Sequence, residues 1–318
     1  MKKDLHRRDF LKRSAATVSG LGLVGSFEEM ALAQAAARQP APTPPAPAAA
    51  NLPKAKVGNV EISRLICGGN LISGYAHSRD LIYVSPLLKH YFTDEKIFET
   101  FRLCEDNGVN TAMLKLDDDT VRLLNVYWHV EGGNIQWISQ ITNPADLTGE
   151  INRSLDNGAV GVFTTGQMGD ELVRAGQVDA IAKAVETVKK RGAIAGVSCH
   201  EINVVIECER RGVGADFYMK TFNSKNYWSA KPAERYDSVF DETPQKTIEV
   251  MAGVKTPWVA FKVLGAGAIT PREGFDYAVQ NGADFLCVGM FDFQVQEDVR
   301  TAQEIFNKHQ TRPRPWRA

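Results

Sequence analysis

The chain has 318 residues, of which 44% are hydrophobic and 24% are charged, and its formal net charge is −1. This balance argues against binding to a polyanion, so no nucleic acid partner is expected. The composition is that of a globular protein with a sizeable core, which argues against collagen-like, coiled-coil and wholly disordered chains.

The first 33 residues have the order of an export signal. Arg7 and Arg8 lead into Asp-Phe-Leu-Lys, an apolar stretch follows, and Ala31-Leu32-Ala33 offers a small-residue cleavage site. This order resembles a bacterial twin-arginine (Tat) signal peptide, which implies the Tat translocase as a transient partner and a periplasmic or other extracytoplasmic location. No other stretch approaches about 20 uninterrupted apolar residues, so no transmembrane domain is expected.

Residues 34–53 are rich in alanine and proline and carry no acidic residue. Such a segment cannot bury a core and favours an extended, semi-rigid linker. The sequence therefore predicts three parts: a signal peptide at 1–33, a linker at 34–53 and a folded domain at 54–318. The five cysteines are scattered without a CxxC pair, which argues against a zinc ribbon or a disulfide scaffold.

Within residues 54–318, short apolar runs alternate with helical patterns. Eight strands are predicted, at 64–68, 111–116, 135–141, 160–165, 194–200, 217–222, 258–264 and 285–290. Predicted helices lie at 93–107, 144–157, 171–191, 202–211, 243–252, 271–281 and 295–308. Several of these helices end in a glycine just before the next strand, which is typical of repeated αβ turns. This pattern predicts an α/β fold, a (β/α)8 TIM barrel; a doubly wound open sheet is the alternative.

Active sites of such barrels lie at the carboxyl ends of the strands, an end called the mouth below. Polar residues close to those ends can project into it. The candidate catalytic residues are Lys115, Gln140, His200, Lys220 and Lys262. A lysine with a lowered pKa could act as acid, base or imine former, and a histidine exchanges protons near neutral pH. The alternatives are ion pairs of the lysines with nearby acids and a core or capping role for the histidine.

Other candidates surround these positions. Long connections run from about residue 70 to 92 and from 223 to 242, and such loops are usually lids or binding loops. The candidate substrate-binding residues are His77, Arg79 and Glu201, and the candidate cofactor-binding residues are Gly265, Gly267 and Gly289, whose backbone amides could hold a phosphate. No sequence motif defines a metal site. A bound divalent metal is still an open alternative, because residues of suitable ligand type are present, namely His77, Asp117, His200, Glu201 and Asp292.

Several segments resemble the aldo/keto reductase family. The segments are Val60–Gly69, Asn107–Thr111, Gly196–His200 and Val288–Met290 with Gln296–Asp298, in the family's chain order. The resemblance implies the barrel fold and NAD(P) as cofactor. The family's catalytic Asp, Tyr, Lys and His do not carry over, because their positions fall at Met113, near Asp118, at Gln140 and at Thr164 or Thr165.

The sequence thus predicts an exported enzyme that acts on a small polar carbonyl or sugar-like substrate. Lysine and histidine acid–base chemistry at the mouth would make it an isomerase, a lyase or an aldolase-like enzyme. A divergent NAD(P)-dependent oxidoreductase is one alternative, and a barrel that binds a ligand without turnover is another.

Overall fold

Ten strands and the helices between them form the fold of residues 52–75, 81–224, 226 and 241–318, which a computed structural model describes. A hairpin comes first, made of β1 (Lys54–Val57) and β2 (Val60–Ser63). The barrel strands are β3 (Leu65–Gly68), β4 (Thr111–Lys115), β5 (Gln136–Ile141), β6 (Gly161–Thr164), β7 (Ile194–Cys199), β8 (Phe217–Thr221), β9 (Trp258–Phe261) and β10 (Phe285–Val288). The helices are α1 (Val84–Tyr91), α2 (Asp94–Asp106), α3 (Asp118–His129), α4 (Leu147–Asp156), α5 (Gly166–Arg174), α6 (Val178–Lys190), α7 (Ile202–Arg211), α8 (Pro244–Gly253), α9 (Pro271–Gln280) and α10 (Asp292–Lys308).

Strands β3 to β10 close into a barrel in the order β10-β3-β4-β5-β6-β7-β8-β9. Neighbouring strands are parallel throughout, and β10 completes the ring by pairing with β3. The chain is therefore an α/β protein with a (β/α)8 barrel, which confirms the predicted fold class. All eight predicted strands are present within a few residues of their expected bounds.

The structure differs from the sequence prediction in four places. The helix predicted over 171–191 is two helices, α5 and α6, because Gly176 adopts a left-handed conformation between them (φ 73°). The long connection after β3 contains α1, and the hairpin before the barrel was not predicted. Strand β9 ends at Phe261 rather than at residue 264, because Lys262 is left-handed (φ 57°) and turns the chain out of the sheet.

The barrel encloses one hydrophobic cluster, and a second lies between the strands and the helices. Ile66, Met113 and Phe163 are in the inner cluster, whereas the residues that alternate with them along the strands are in the outer one. Val57 and Ile62 of the hairpin also belong to the inner cluster. The hairpin therefore closes the amino end of the barrel, which is called the base below, and leaves the mouth as the end available for chemistry.

A buried ionic cluster fastens the C-terminal segment to the base. The Asp284 carboxylate accepts hydrogen bonds from Arg312 (2.7 Å) and Arg314 (2.6 Å). The Trp316 ring contacts two guanidinium groups, with Arg312 3.4 Å and Arg64 4.1 Å from its centroid. Burial lowers the pKa of all three arginines, to about 10 for Arg312, although Asp284 opposes this effect. The C-terminal segment is thus part of the domain's core.

The cysteines, the N-terminal segment and membrane-spanning helices were also the subject of sequence predictions. The five cysteines are free and buried, in agreement with a chain that has no disulfide scaffold. The predicted signal peptide and nearly all of the linker lie outside the described residues. Among the described residues, no helix has the length and apolar character needed to cross a membrane.

Candidate active site at the mouth of the barrel

A histidine and a buried aspartate form a hydrogen-bonded pair at the mouth. His200 follows β7, and its Nδ1 lies 2.8 Å from Oδ2 of Asp170 on α5. The same carboxylate accepts hydrogen bonds from the backbone N–H groups of His200 (3.0 Å to Oδ1) and Glu201 (3.0 Å to Oδ1). Asp170 is 4% exposed. Three N–H groups therefore hold one buried carboxylate, and this carboxylate in turn fixes the imidazole.

This arrangement determines what the imidazole can do. Because the carboxylate accepts a hydrogen bond, Nδ1 of His200 carries the proton and Nε2 keeps its lone pair. Burial lowers the pKa of His200, the hydrogen bond to Asp170 raises it, and the positive charge of Lys262 lowers it further, with a net downward shift. The His200 side chain still has 17% of its surface exposed. A neutral, oriented and accessible imidazole is suited to act as a general base.

The local sequence makes room for this ring. Helix α5 begins at Gly166, and a Cβ at that position would lie 2.7 Å from Cε1 of His200. A side chain there would displace the imidazole, so glycine lets the ring lie against the start of α5. On the other side, the Phe261 ring at the end of β9 is 5.7 Å from the imidazole, centroid to centroid. The ring is thus held between α5 and β9.

Lys115 meets a tyrosine and an aspartate on another side of the barrel. Its Nζ lies 3.2 Å from the Tyr75 hydroxyl and 3.6 Å from Oδ2 of Asp117. Partial burial disfavours the charge, but the contacts with Tyr75 and Asp117 outweigh it and raise the pKa of Lys115. A lysine that acts as a base needs a lowered pKa, so Lys115 does not have the property that this hypothesis requires. Gln140 pairs with it in register across β4 and β5.

Lys220 does not line the mouth, contrary to expectation. Phe217 and Met219 belong to the inner cluster, so Lys220 alternates to the outer face of β8, where it is fully buried. Its Nζ donates a hydrogen bond to the Thr221 carbonyl (2.7 Å) and lies 3.3 Å from the Asp241 carboxylate. This is an ion pair, as the alternative interpretation allowed, but with a partner that the sequence did not indicate.

Lys262 lies at the mouth in an unusual backbone conformation. It follows β9 with φ 57°, a left-handed value that costs a residue with a side chain about 1–3 kcal/mol. Its carbonyl accepts hydrogen bonds from Gly265 N–H (3.1 Å) and from the Asn223 side-chain amide (3.3 Å). Lys262 is close enough to His200 for its charge to lower the pKa of the imidazole.

The glycines after β9 do not offer the expected phosphate site. The Gly265 N–H group donates to the Lys262 carbonyl (3.1 Å), and the Gly267 N–H group donates to the Leu264 carbonyl (3.0 Å). These amides are already used inside the turn, so they are not directed at a ligand. A Cβ at Gly289 would lie 3.0 Å from the Leu71 side chain. Close packing against Leu71 therefore explains why a glycine occupies this position.

The remaining predicted binding residues are not gathered at one point. His77 and Arg79 lie outside the described residues, and Glu201 is an exposed residue paired with Arg174 (3.1 Å). The Asp117 carboxylate accepts a hydrogen bond from the Thr120 backbone N–H group at the start of α3, and the Asp292 carboxylate accepts one from Nζ of Lys96 (3.1 Å). Within the described ranges, no group of three or more His, Cys, Asp or Glu side chains could hold a metal ion.

Comparison with solved structures shows the same barrel in proteins of low sequence identity. A structure described as an aldo-keto reductase from Pseudomonas aeruginosa has a TM-score of 0.56 at 16% identity, over 80% of this chain and 94% of that one. A truncated 3-deoxy-D-arabino-heptulosonate 7-phosphate synthase from Thermotoga maritima has a TM-score of 0.52 at 10% identity, over 82% and 94%. No protein-family model and no curated protein matches this chain. Likeness at these identities shows the fold, which agrees with the resemblance in sequence, and does not show an activity.

The residues present do not fit a nicotinamide cofactor in the way that the family resemblance implies. Met113, which stands at the position of the family's aspartate, is a buried member of the inner cluster. The amides of Gly265 and Gly267 are engaged within their own turn. The described mouth therefore provides neither the family's catalytic set at its usual positions nor a glycine-based phosphate site after β9.

Proposed function

We propose that the protein is an enzyme that moves a proton next to the carbonyl group of a small polar or sugar-like substrate at the mouth. The observation that carries the proposal is the hydrogen bond between Asp170 and His200, which orients a neutral imidazole in an accessible position. His200 takes the proton at Nε2, while Asp170 stabilises the imidazolium that forms. Isomerisation by enolisation, β-elimination by a lyase and aldol addition each begin with such a step.

A lysine at the mouth supports the same chemistry. A carbonyl substrate that loses an adjacent proton becomes an enolate, whose oxygen is stabilised by a nearby positive charge. Lys115 suits this role because its raised pKa keeps it charged, and Gln140 beside it supplies a neutral donor. Lys220 has no part in this mechanism, because it is buried against Asp241 on the outer face of the barrel.

The test is proton exchange, which needs no knowledge of the final product. The protein is incubated in D2O with glyceraldehyde, dihydroxyacetone, erythrulose and pyruvate, and loss of the proton next to the carbonyl is followed by NMR. We expect exchange above the buffer rate with at least one compound, and loss of that exchange in His200→Asn. Exchange that is absent for all four compounds, or unchanged in His200→Asn, would refute the proposal.

A second candidate function is that of a divergent oxidoreductase. The observation that favours it is the contact of Tyr75 with Lys115 and of Lys115 with Asp117. Together with His200, these are the four residue types of the aldo/keto reductase catalytic set, brought to the mouth from other positions in the chain. Titration with NADPH and NADH, followed by quenching of tryptophan fluorescence, tests this candidate. Saturable binding would support it, and absence of binding would remove it.

We also propose that the enzyme is exported by the Tat route and works outside the cytoplasm. The paired Arg7 and Arg8 and the Ala-Leu-Ala segment support this. The test is a fusion of residues 1–53 to a folded reporter in a bacterium with a Tat system. We expect the reporter in the periplasm, and retention in the cytoplasm when both arginines are changed to lysine. Export that is insensitive to this change would contradict the proposal.

A further inference from the structure

A cavity lies beside the mouth, between the turn after β9 and helix α9. Its volume is about 400 Å³, which is within the range of small-molecule sites. Val263 lines the cavity and belongs to the outer hydrophobic cluster, whereas Phe261, which contacts the His200 ring, packs against the inner cluster. The cavity is therefore on the outer side of the strand ends, and the site around His200 is on their inner side.

A buried amide in the wall of this cavity has an oxygen without a partner. Asn223 follows β8 and is 1% exposed. Its Nδ2 donates a hydrogen bond to the Lys262 carbonyl (3.3 Å), which orients the amide, while its Oδ1 accepts none. An unsatisfied buried acceptor is unfavourable, so a ligand that donates a hydrogen bond to Oδ1 would remove this cost. The cavity therefore favours a ligand that carries a hydrogen-bond donor.

The charges around the cavity argue for an uncharged ligand. Among the described residues that line it, none is basic, and Glu273 and Asp276 are the acidic ones. The Asp276 carboxylate accepts a hydrogen bond from Nζ of Lys308 (2.8 Å) and lies 2.7 Å from Nε2 of His309. The Glu273 carboxylate accepts one from the Thr270 hydroxyl (2.8 Å) in the capping box of α9, where the helix dipole favours a negative charge. An anion would find no positive partner in this lining, and a cation would find carboxylates that are already compensated.

The other lining residues combine neutral polar groups with apolar surface. Ser224 and Gln280 supply a hydroxyl and an amide, and Tyr277 supplies a phenol ring that stacks on Phe222 with centroids 5.0 Å apart. Hydroxyl and amide groups both donate and accept hydrogen bonds, which matches a ligand whose hydroxyl groups do the same. A few placed polar groups on an apolar wall are typical of small-molecule sites.

We propose that this cavity is a second binding site, which takes an uncharged ligand with several hydroxyl groups, such as a sugar ring or a cyclitol. One hydroxyl of the ligand donates to Oδ1 of Asn223, others exchange hydrogen bonds with Gln280 and the Tyr277 hydroxyl, and the C–H groups of the ligand pack against Val263. The proposal goes beyond the proposed function, because the ligand needs no carbonyl group and His200 takes no part in its binding.

The experiment uses probes without a carbonyl group, which cannot be substrates of the proposed proton transfer. The full chain is titrated with methyl glucoside, methyl galactoside, myo-inositol and xylitol, and binding is followed by saturation-transfer NMR and calorimetry. We expect at least one probe to bind with a Kd of about 1 mM or lower. The amine and carboxylic acid derivatives of that probe should bind more weakly, because the cavity compensates neither charge.

Variants locate the bound probe. Ala268 lines the cavity, so Ala268→Phe should fill it and abolish binding. Ala252→Phe makes the same change at an exposed position of α8 and is the matched control, which should bind as the unchanged chain does. Asn223→Ala should weaken binding about two- to tenfold, the usual effect of one hydrogen bond. Should Asn223→Ala not fold, Ala268→Phe decides.

Three results would overturn the proposal: no binding of any of the four probes, tighter binding of a charged derivative, or binding that survives Ala268→Phe. His200→Asn should bind the probe unchanged, and a loss of binding there would place the probe at the mouth and also refute the second site. Ala268→Phe should keep the proton exchange of the unchanged chain. The two proposals can therefore fail independently of each other.

Discussion

The Asp170 carboxylate lies 2.8 Å from Nδ1 of His200, and among the hydrogen bonds of the described residues this contact fixes the tautomer of the imidazole. The pair joins two successive units of the barrel, because Asp170 is on α5 and His200 follows β7. A shift of either unit would therefore change the orientation of the imidazole. Most of the expected behaviour of the site depends on this contact.

Removal of either member of the pair should reduce activity. We expect His200→Asn and Asp170→Asn each to lower kcat by about 10²- to 10⁴-fold, the usual contribution of a positioned acid–base group. The assay is the exchange rate of the best carbonyl compound. His309 and Asp276 form another His–Asp pair, 2.7 Å apart, away from the mouth. His309→Asn is therefore the matched control and should keep full activity; an equal loss there would point to a general structural effect.

The activity should fall at acidic pH with a midpoint below that of an ordinary histidine. Burial and Lys262 lower the pKa of His200 despite Asp170, so the imidazole stays neutral until the pH falls below about 6.5. A base must be neutral to accept a proton, so kcat/KM should decrease as the pH falls through the lowered pKa. A pH profile of kcat/KM measures this. An acidic midpoint above 6.5 would show that another group controls the step.

The buried pair of Lys220 and Asp241 should contribute to stability and not to catalysis. Removal of one member of a buried pair leaves an uncompensated charge and costs about 3–5 kcal/mol. We expect Lys220→Met to lower the free energy of unfolding in urea by that amount, while the folded fraction keeps its kcat. The Lys189–Asp216 pair (3.0 Å) is half-exposed. Lys189→Met is thus the control and should cost less than about 1 kcal/mol.

Asp298 should make the protein less stable as the pH rises. Burial in α10, with a smaller effect of Glu297, raises the pKa of Asp298 to about 7. Between its ordinary pKa near 4 and this value, the unfolded chain binds fewer protons than the folded one, so stability falls with rising pH and then levels off. The Asp298→Asn variant should lack this pH dependence. At pH 8 its free energy of unfolding should exceed that of the unchanged chain by up to a few kcal/mol, since each pKa unit corresponds to about 1.4 kcal/mol.

Unfolding in urea at pH 5 and pH 8 measures the effect of Asp298. Glu304 is on the same helix in an exposed pair with Arg272. Glu304→Gln should therefore show the same pH dependence as the unchanged chain. A chain with Asp298→Asn that still loses stability between pH 5 and pH 8 would show that other groups cause the dependence.

The ionic cluster at the base should be sensitive to the loss of its carboxylate. Asp284→Ala leaves the buried guanidinium groups of Arg312 and Arg314 without their counter-charge, and we expect a loss of about 3–5 kcal/mol. Calorimetry or urea unfolding measures it. Asp156→Ala, which breaks an exposed pair with Arg191, is the control and should cost less than about 1 kcal/mol. Equal losses in the two variants would show that burial of the cluster has no special effect.

The strands were predictable because their apolar runs recur between helical patterns, and this signal is local. Which face a residue takes was harder to predict. Lys220 is close to the end of its strand, like Lys115, but a shift of one position in the alternation places it on the outer face. The partner Asp170 was missed because it is on a helix 30 residues before His200, and only the packing of α5 against β7 brings the two together.

The contacts of Lys115 were predictable only where the partner is close in sequence. Its contact with Asp117 is local and was among the expected ion pairs. The contact with Tyr75 comes from the connection after β3, 40 residues earlier, and no spacing in the sequence indicates it. Backbone strain at Lys262 was also beyond sequence reasoning, since lysine is not a residue that favours a left-handed turn.

The hairpin and the Asp284 cluster bring both ends of the folded domain to the base. Val57 and Ile62 close the barrel there, and Arg312 and Arg314 hold the last residues against the starts of β9 and β10. A reporter, an affinity tag or a solid support attached at either end would therefore approach the domain from the side opposite to His200. Immobilised or fused forms should present an unobstructed entrance to small molecules, which makes the protein suited to screening on a surface.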